Sequence, residues 1–242
     1  MPELFLTIFF ISILLIFLGT GIWVSLSMVG VSAIGMFLFT SRPVGDAMAT
    51  TIWGTSSSWT LTALPLFVWM GEILFRTKLS ENLFKGLAPW MSRLPGGLIH
   101  VNVVGCALFA AISGSSAATV ATVGKMSIPE LRKRNYPEKL LLGSLAGSGT
   151  LGLLIPPSII LIIYGVTVQE SIAKLFIAGI IPGIMIAIFF MLYVIGWSIL
   201  NKNSMPKMEE TFSFSQKIKQ SGQLIPVIVL IAAVIGSIYA GI

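Results

Sequence analysis

The sequence predicts an all-α integral membrane protein, a multi-span bundle that includes a re-entrant helical hairpin and a discontinuous helix. Of its 242 residues, 55% are hydrophobic and 10% are charged, whereas soluble domains carry about 25% charged residues. Apolar runs near the spanning length of ~20 residues recur along the chain, which excludes a protein with a single membrane anchor. Two polar, glycine-rich breaks interrupt apolar runs, one at Ser113–Ser116 and one at Gly147–Gly152. Such breaks predict the hairpin and the discontinuous helix.

Apolar runs predict five membrane-spanning helices. They cover Leu4–Leu18, Ile22–Phe39, Trp59–Phe75, Leu175–Leu200 and the segment from Leu224 to Ile242. We expect Pro65, near the middle of the third run, to kink it, because proline lacks the N–H that an interior helix position donates. Arg42–Ser58 is predicted to be a loop or an interfacial piece, and Asn201–Gln220 a polar loop. Since the sequence ends within an apolar run, we expect a longer natural chain.

The segment from Ser80 to Ser92 differs from the apolar runs. Leu83, Leu87 and Trp90 recur at helical spacing among polar residues. This pattern predicts an amphipathic helix that lies in the membrane interface.

The first break joins two apolar segments that are too short to span a membrane comfortably. Leu98–Ile112 precedes it and Ala117–Ile128 follows it, and basic residues flank both outer ends. A segment that enters and leaves the bilayer on one side is a re-entrant hairpin, with its tip near mid-membrane. If the hairpin re-enters, thirteen of the fifteen basic residues lie on one side, which the positive-inside rule places in the cytoplasm. The thirteen are Arg76, Lys78, Lys85, Arg93, Lys125, Arg132, Lys133, Arg134, Lys139, Lys202, Lys207, Lys217 and Lys219; the other two are Arg42 and Lys174. Because the net charge of +6 lies in loops between spans, insertion topology explains it better than binding of nucleic acid or anionic lipid. The expected partners include membrane lipid and no nucleic acid.

The second break divides one crossing into two half-helices, Lys139–Gly149 and Pro156–Thr167. Pro156 and Pro157 have no N–H to donate to the carbonyls four residues back. We therefore expect free carbonyls at Gly152 and Leu153, with a proline near the start of the second half-helix.

Each break thus pairs carbonyls that end one helix with N–H groups that open the next. Carbonyl ends carry partial negative charge and amino ends partial positive charge, so the carbonyls and hydroxyls suit Na⁺ and the amino ends suit a carboxylate. The hydroxyl-bearing candidates for carboxylate binding are Ser115, Ser116, Thr150 and Ser158. Paired discontinuous helices at mid-membrane are typical of secondary transporters.

Other interpretations stay open at this point. Ser113–Ser116 can be a simple kink, and an ion channel also uses re-entrant carbonyl loops. A non-catalytic scaffold subunit is a further alternative. An intramembrane enzyme is disfavoured because no nucleophile motif, acidic pair or metal motif occurs. Cys106 and His100 are expected to be packed helix residues, and Glu72 an interfacial residue more readily than part of an ion path.

Several long motifs resemble the large membrane (DctM-like) subunit of TRAP transporters, the tripartite ATP-independent periplasmic transporters. They are Leu94–Gly97, Ala107–Thr119, Gly149–Ser158, Ala63–Phe67 with Gly71-Glu72, and Ala178–Gly183. The resemblance covers nearly the whole chain and corresponds to the N-terminal part of that subunit.

The resemblance implies Na⁺-coupled uptake of carboxylates across the bacterial inner membrane by an elevator motion. It implies two partners, a small four-helix membrane subunit and a periplasmic substrate-binding protein. It also implies half of an inverted-repeat fold, the second repeat being absent from this sequence. The Na⁺ site that it implies falls on Ser113, Ser116, Gly152, Ile155 and Pro157. The expected organisation is scaffold-like spans and the amphipathic helix in 1–93, the transport site in 94–167 and further spans in 168–242.

Overall fold

The computed structural model describes residues 2–206 and 212–240, and the regular secondary structure in these ranges is helical. Residue contacts divide the chain into two units, Met1–Trp59 and Thr60–Ile242, and each is described by itself. The helices are α1 (Pro2–Gly19), α2 (Val24–Phe39), α3 (Val44–Ser56), α4 (Ala63–Phe75), α5 (Leu79–Met91), α6 (Ile99–Ser113), α7 (Ser116–Lys133), α8 (Glu138–Gly149), α9 (Ile159–Val168), α10 (Ile172–Leu200), α11 (Phe214–Ser221) and α12 (Ile225–Ala240). Lys207 and Ile242, used in the charge count and the last predicted span, lie outside the described residues. The expected boundaries at 93/94 and 167/168 stay predictions.

The first unit is built on the contact between α1 and α2. The rings of Phe9 and Phe39 meet edge to face with centroids 5.7 Å apart. Gly35 faces Phe10, and a Cβ there would lie 2.6 Å from the ring, so the glycine lets the two helices approach. The predicted loop or interfacial piece after α2 forms the helix α3.

The second unit is organised around α6, which packs against α5, α7, α8 and α10. Ile99, Phe109 and Ile112 of α6 are fully buried, together with Leu131 of α7 and Leu141 of α8. Burying side chains of this size contributes roughly 1.5–3 kcal/mol each. The hairpin helix therefore forms the centre of the core.

Within the described ranges, two helical stretches are long and apolar enough to cross a membrane. They are Ile172–Leu200, with 29 residues and a mean hydropathy of 2.7, and Phe214–Ile238, with 25 residues and a mean hydropathy of 2.2. The other predicted spans form shorter helices, of which α4 has 13 residues. Trp59–Thr62 is a separate 3₁₀ turn, so Pro65 lies in the first turn of α4. The predicted mid-span kink is wrong, because a proline there costs no helical hydrogen bond.

The predicted polar loop at 201–220 is also wrong in its described part. Phe214–Ser221 forms α11, which continues through a 3₁₀ turn at Gly222–Leu224 into α12. The Ser213 N–H donates to the Gln216 side chain at 3.0 Å, so a polar capping interaction starts the helix. The low hydropathy of the segment predicted a position outside the membrane but did not exclude a helix.

The predicted amphipathic helix is present as α5. Leu83 and Leu87, which belong to its apolar stripe, are buried in the core that is centred on α6. Protein therefore covers this part of the stripe. The position of α5 in the membrane interface stays a prediction.

Candidate functional site

The first break lies where the sequence predicts it. Gly114 ends α6 in the left-handed conformation, with φ of 59°, which glycine adopts without steric cost. Ser115 is the N-cap of α7, and its hydroxyl accepts a hydrogen bond from the Ala118 N–H at 3.4 Å. The segment from Leu98 to Ile128 is therefore two helices, α6 and α7, that pack against each other.

The second leg of this hairpin is longer than predicted. Helix α7 runs to Lys133 instead of ending at Ile128. Its last turns are charged, and Arg134, which caps them, is paired with Glu130 at 2.8 Å. The charges mark the end of the apolar run, not the end of the helix.

Tyr136 closes the base of the hairpin. Its hydroxyl accepts a hydrogen bond from the Leu98 N–H at 3.0 Å, linking the entry of α6 to the exit of α7. The Tyr136 hydroxyl occupies the space that a Cβ at Gly97 would need, so a larger residue would clash there. The φ of 52° at Gly97 also favours glycine. Burial raises the pKa of Tyr136 above its ordinary value, and the Leu98 hydrogen bond opposes the rise only in part.

Inside the tip, Ser113 is held by its own neighbours. Its hydroxyl lies 2.9 Å from the Thr119 hydroxyl and donates to the Ser115 carbonyl at 3.3 Å. Ser113 is 1% exposed. These bonds fix the carbonyl end of α6 relative to the amino end of α7.

The second break is also present, but its second half-helix starts later than predicted. Helix α8 ends at Gly149 and a 3₁₀ turn covers Thr150–Leu153. Helix α9 then begins at Ile159 rather than at Pro156. A residue before proline is pushed out of the helical region, and Ile155 and Pro156 both precede one. The extended residue Ser158 stands at the N-cap position instead.

Of the two carbonyls expected to be free, one has a partner. The Leu153 carbonyl accepts the Ser158 hydroxyl at 2.8 Å, so that expectation is wrong for Leu153. The Gly152 carbonyl differs, since the Ile155 N–H donates to Leu151 at 2.9 Å and Pro156 has no N–H. The Gly152 carbonyl therefore lacks the N–H donors that a continuous helix would supply, as predicted.

The two breaks, about forty residues apart in sequence, meet backbone to backbone. The Ile159 N–H donates to the Gly114 carbonyl at 3.3 Å. A Cβ at Gly114 would lie 2.8 Å from the Pro157 carbonyl oxygen. A Cβ at Gly152 would lie 2.8 Å from the Ser116 nitrogen and 2.9 Å from the Ser115 carbonyl carbon. Glycine at both positions is thus required for the contact.

This contact brings most of the predicted Na⁺ residues together. Ser116 lies against Gly152, and Gly114, next to Ser113, lies against Pro157. The Ser116 hydroxyl oxygen is buried and has no hydrogen-bond partner within the described ranges. Ile155 also packs toward α10, because Gly183 lies beside its backbone and side chain.

A cavity of about 330 Å³ opens beside the hairpin tip. It is lined by Val68, Gly71, Glu72, Ser113, Ser115, Ala117, Ala118, Ala121 and Ile159. Of the four predicted carboxylate-binding residues only Ser115 is in this lining. The Thr150 hydroxyl donates to the Gly147 carbonyl at 2.7 Å, and the Ser158 hydroxyl donates to the Leu153 carbonyl. Both hydroxyls therefore form hydrogen bonds within the second break and do not line the cavity.

Sequence reasoning missed the contribution of α4 to this cavity. Gly71 lies against the tip, with a hypothetical Cβ 3.6 Å from the Ser113 carbonyl oxygen. Glu72 lines the cavity, and its carboxylate accepts hydrogen bonds from Arg76 at 2.8 and 2.9 Å. The spacing of four residues between Glu72 and Arg76 predicts their pairing. The sequence does not predict that α4 packs against the hairpin tip.

A buried polar contact between α6 and α8 was also missed. The Asn102 side-chain amide donates to the Ser144 hydroxyl at 3.0 Å and to the Leu141 carbonyl at 3.3 Å. The Ser148 hydroxyl donates to the Asn102 carbonyl at 3.4 Å. This polar contact joins the hairpin to the first half of the broken helix.

Comparison with known proteins gives a consistent set of matches. Residues 9–242 match the profile of the family described as "Tripartite ATP-independent periplasmic transporter, DctM component". The C4-dicarboxylate TRAP transporter large permease protein DctM of Pseudomonas aeruginosa is 33% identical over 209 residues, or 86% of this chain and 48% of the relative. Its namesake from Rhodobacter capsulatus is 32% identical, covering 98% of this chain and 56% of the relative. The isethionate TRAP transporter permease protein DctMQ of Oleidesulfovibrio alaskensis is 31% identical, covering 94% of this chain and 35% of the relative. The chain spans about half the length of the first two relatives.

Proposed function

Because this chain belongs to the DctM family of tripartite ATP-independent periplasmic transporters, we propose that it forms part of a Na⁺-coupled permease for organic anions. The relatives described above are permeases, and two are named for C4-dicarboxylates. The proposed solute carries a carboxylate. The proposed partners are a small four-helix membrane subunit and a periplasmic substrate-binding protein, and the proposed location is the bacterial inner membrane.

The contact between the two breaks is the observation that carries the proposal. We assign Na⁺ to Ser113, Ser116, Gly152, Ile155 and Pro157, largely through backbone oxygens. Buried polar atoms in proteins are normally paired, and the Ser116 hydroxyl has no described partner. A cation bound where the two breaks meet supplies that partner. Carbonyl and hydroxyl oxygens are the ligands that hard cations prefer.

The cavity beside the tip is the proposed solute site. Its volume of about 330 Å³ lies within the range of small-molecule pockets, which are roughly 300–1,000 Å³. Ser115 caps the amino end of α7 at this cavity, and that end attracts an anion through its N–H groups and the helix dipole. Ala117, Ala118 and Ala121 leave room for the solute.

The proposed membrane arrangement follows from the positive-inside count. The hairpin enters and leaves from the side that holds thirteen basic residues, with Gly114 near mid-membrane. The hairpin and the broken helix move together in an elevator motion, and the Asn102 contact supports their acting as one body.

The test reconstitutes the complete permease with its small subunit and binding protein in liposomes. Labelled C4-dicarboxylate uptake should require an inward Na⁺ gradient and should stop when K⁺ replaces Na⁺. Uptake of equal rate in K⁺ would refute the Na⁺ assignment. A conductance that needs no binding protein would instead identify a channel, and absence of transport with all components present would identify a scaffold.

A further inference from the structure

Helices α5 and α11 are joined by a small polar cluster that shares no residue with the hairpin tip. The Trp90 indole N–H donates to the Ser221 hydroxyl at 2.8 Å. That hydroxyl in turn donates to the Lys217 carbonyl at 2.8 Å. The Lys217 ammonium lies 5.2 Å from the centroid of the Trp90 ring. We call Trp90, Lys217 and Ser221 the Trp90–Lys217 site.

Close packing fixes the geometry of this site. Gly86, one turn before Trp90 on α5, faces Leu224 just after α11. A Cβ at Gly86 would lie 2.6 Å from the Leu224 side chain and 3.4 Å from the Gln220 carbonyl oxygen. The site is therefore held by contacts on both helices.

Lys217 is in an unusual position for a lysine. It is 6% exposed, and charged side chains are rarely buried without a partner of opposite charge. The Trp90 ring provides a cation–π contact within the usual limit of ~6 Å. No carboxylate lies within ion-pair distance of its ammonium in the ranges 2–206 and 212–240. Helix α11 contains Lys219 but no acidic residue, so the described residues leave the positive charge of the site uncompensated.

The surface next to this charge is apolar. Phe214 and Ile218 are 69% and 56% exposed, and at a spacing of four residues they share one face of α11. The helix leads directly into the apolar helix α12. Exposed apolar side chains beside lysines on a short helix are typical of segments that lie at the headgroup boundary of a membrane.

We propose that the Trp90–Lys217 site binds the phosphate of an anionic phospholipid in the leaflet on the basic side of the protein. The Lys217 ammonium pairs with the phosphate, and its contact with the Trp90 ring, 5.2 Å from the centroid, orients it. Phe214 and Ile218 contact the acyl chains of the same lipid. Lys219 adds a second positive charge near the headgroup. The lipid thereby completes the charge balance that the described protein residues leave open.

Native mass spectrometry of the complete permease in detergent measures this binding directly. Phosphatidylglycerol should bind the wild type more tightly than phosphatidylcholine, which has no net charge. Lys217→Gln should weaken phosphatidylglycerol binding about fivefold, the loss expected for one basic residue at an anionic surface. Lys217→Arg should keep most of the affinity. Lys202→Gln is the matched control, since it removes one charge from the same predicted side, in an exposed 3₁₀ turn.

Four results would overturn the proposal. The first is equal wild-type affinity for the two lipids, which needs no variant to fold. The second is an equal loss of affinity in the Lys202 and Lys217 variants. The third is displacement of phosphatidylglycerol by low concentrations of inorganic phosphate, which would identify a free-phosphate site. The fourth is a large gain in affinity on replacing Glu209 and Glu210 by Gln, which would identify the chain's own acids as the partner of Lys217.

Discussion

Replacing Gly152 by alanine tests whether the contact between the two breaks is required for transport. The added Cβ would lie 2.8 Å from the Ser116 nitrogen, 2.9 Å from the Ser115 carbonyl carbon and 3.0 Å from the Ser116 Cα. All three atoms are backbone atoms, so no side chain can rotate away. An ordinary contact of ~3.4 Å requires the hairpin tip and the broken helix to separate by about 0.6 Å. The separation acts where we assign Na⁺.

The expected magnitude follows from two opposing effects. Overpacking lowers the stability of the folded state by about 1–3 kcal/mol. Replacing glycine in an allowed helical conformation raises stability by roughly 0.4–1 kcal/mol, because it lowers the conformational entropy of the unfolded chain. Taking the middle of each range, about 2 minus about 0.7 kcal/mol leaves a net cost of about 1.3 kcal/mol. This corresponds to roughly a tenfold loss in apparent Na⁺ affinity if the bound state carries the strain.

The assay is the Na⁺ dependence of solute uptake in proteoliposomes, with the thermal unfolding midpoint measured on the same preparations. Gly143→Ala is the matched control, because no atom lies within 4 Å of a Cβ at that position of α8. We expect Gly143→Ala to leave uptake unchanged and to stabilise the protein by about 0.5–1 kcal/mol. Wild-type Na⁺ dependence in Gly152→Ala would refute the reasoning.

The remaining predictions concern the tip and the base of the hairpin. Ser116→Ala should reduce Na⁺-dependent uptake without lowering the unfolding midpoint, because it removes a buried hydroxyl that has no described partner; a lower midpoint with normal uptake would contradict the assignment. Tyr136→Phe should cost about 0.5–1.5 kcal/mol at neutral pH, since the Leu98 N–H loses its acceptor, and an unchanged midpoint would contradict this. Because burial raises the pKa of Tyr136 in the folded state, its stabilising effect is complete below pH ~10 and is lost as the pH rises through the raised pKa. The wild-type midpoint should therefore fall more steeply than that of Tyr136→Phe above pH 10, and parallel curves would contradict the assignment.

The sequence was most informative at the two breaks. Gly114 and the Pro156-Pro157 pair are local causes of helix ends, since one favours a left-handed turn and the other removes donors. The ends of α6 and α8 were therefore predictable to within about one residue. Family membership was predictable as well, because the motifs around these breaks are long.

Features that depend on contacts between distant segments were not predictable from the chain. The neighbourhood of Gly71 and Ser113 arises from packing of α4 on the hairpin. The pairing of Ser158 with Leu153 depends on how the chain turns after two prolines. Helix α11 was missed for a different reason, since hydropathy identifies apolar runs and does not distinguish a polar loop from a polar helix.

The Asn102 contact also limits how the segment can be exchanged between relatives. Sliding α6 by one turn along α8 would separate the Asn102 amide from the Ser144 hydroxyl and the Leu141 carbonyl, and a buried polar group tolerates the loss of its partners poorly. A single buried asparagine can fix the alignment of two helices in this way. In chimaeras, α6 should consequently be exchanged together with α8 as one block, and a replacement of either helix alone should misalign the pair.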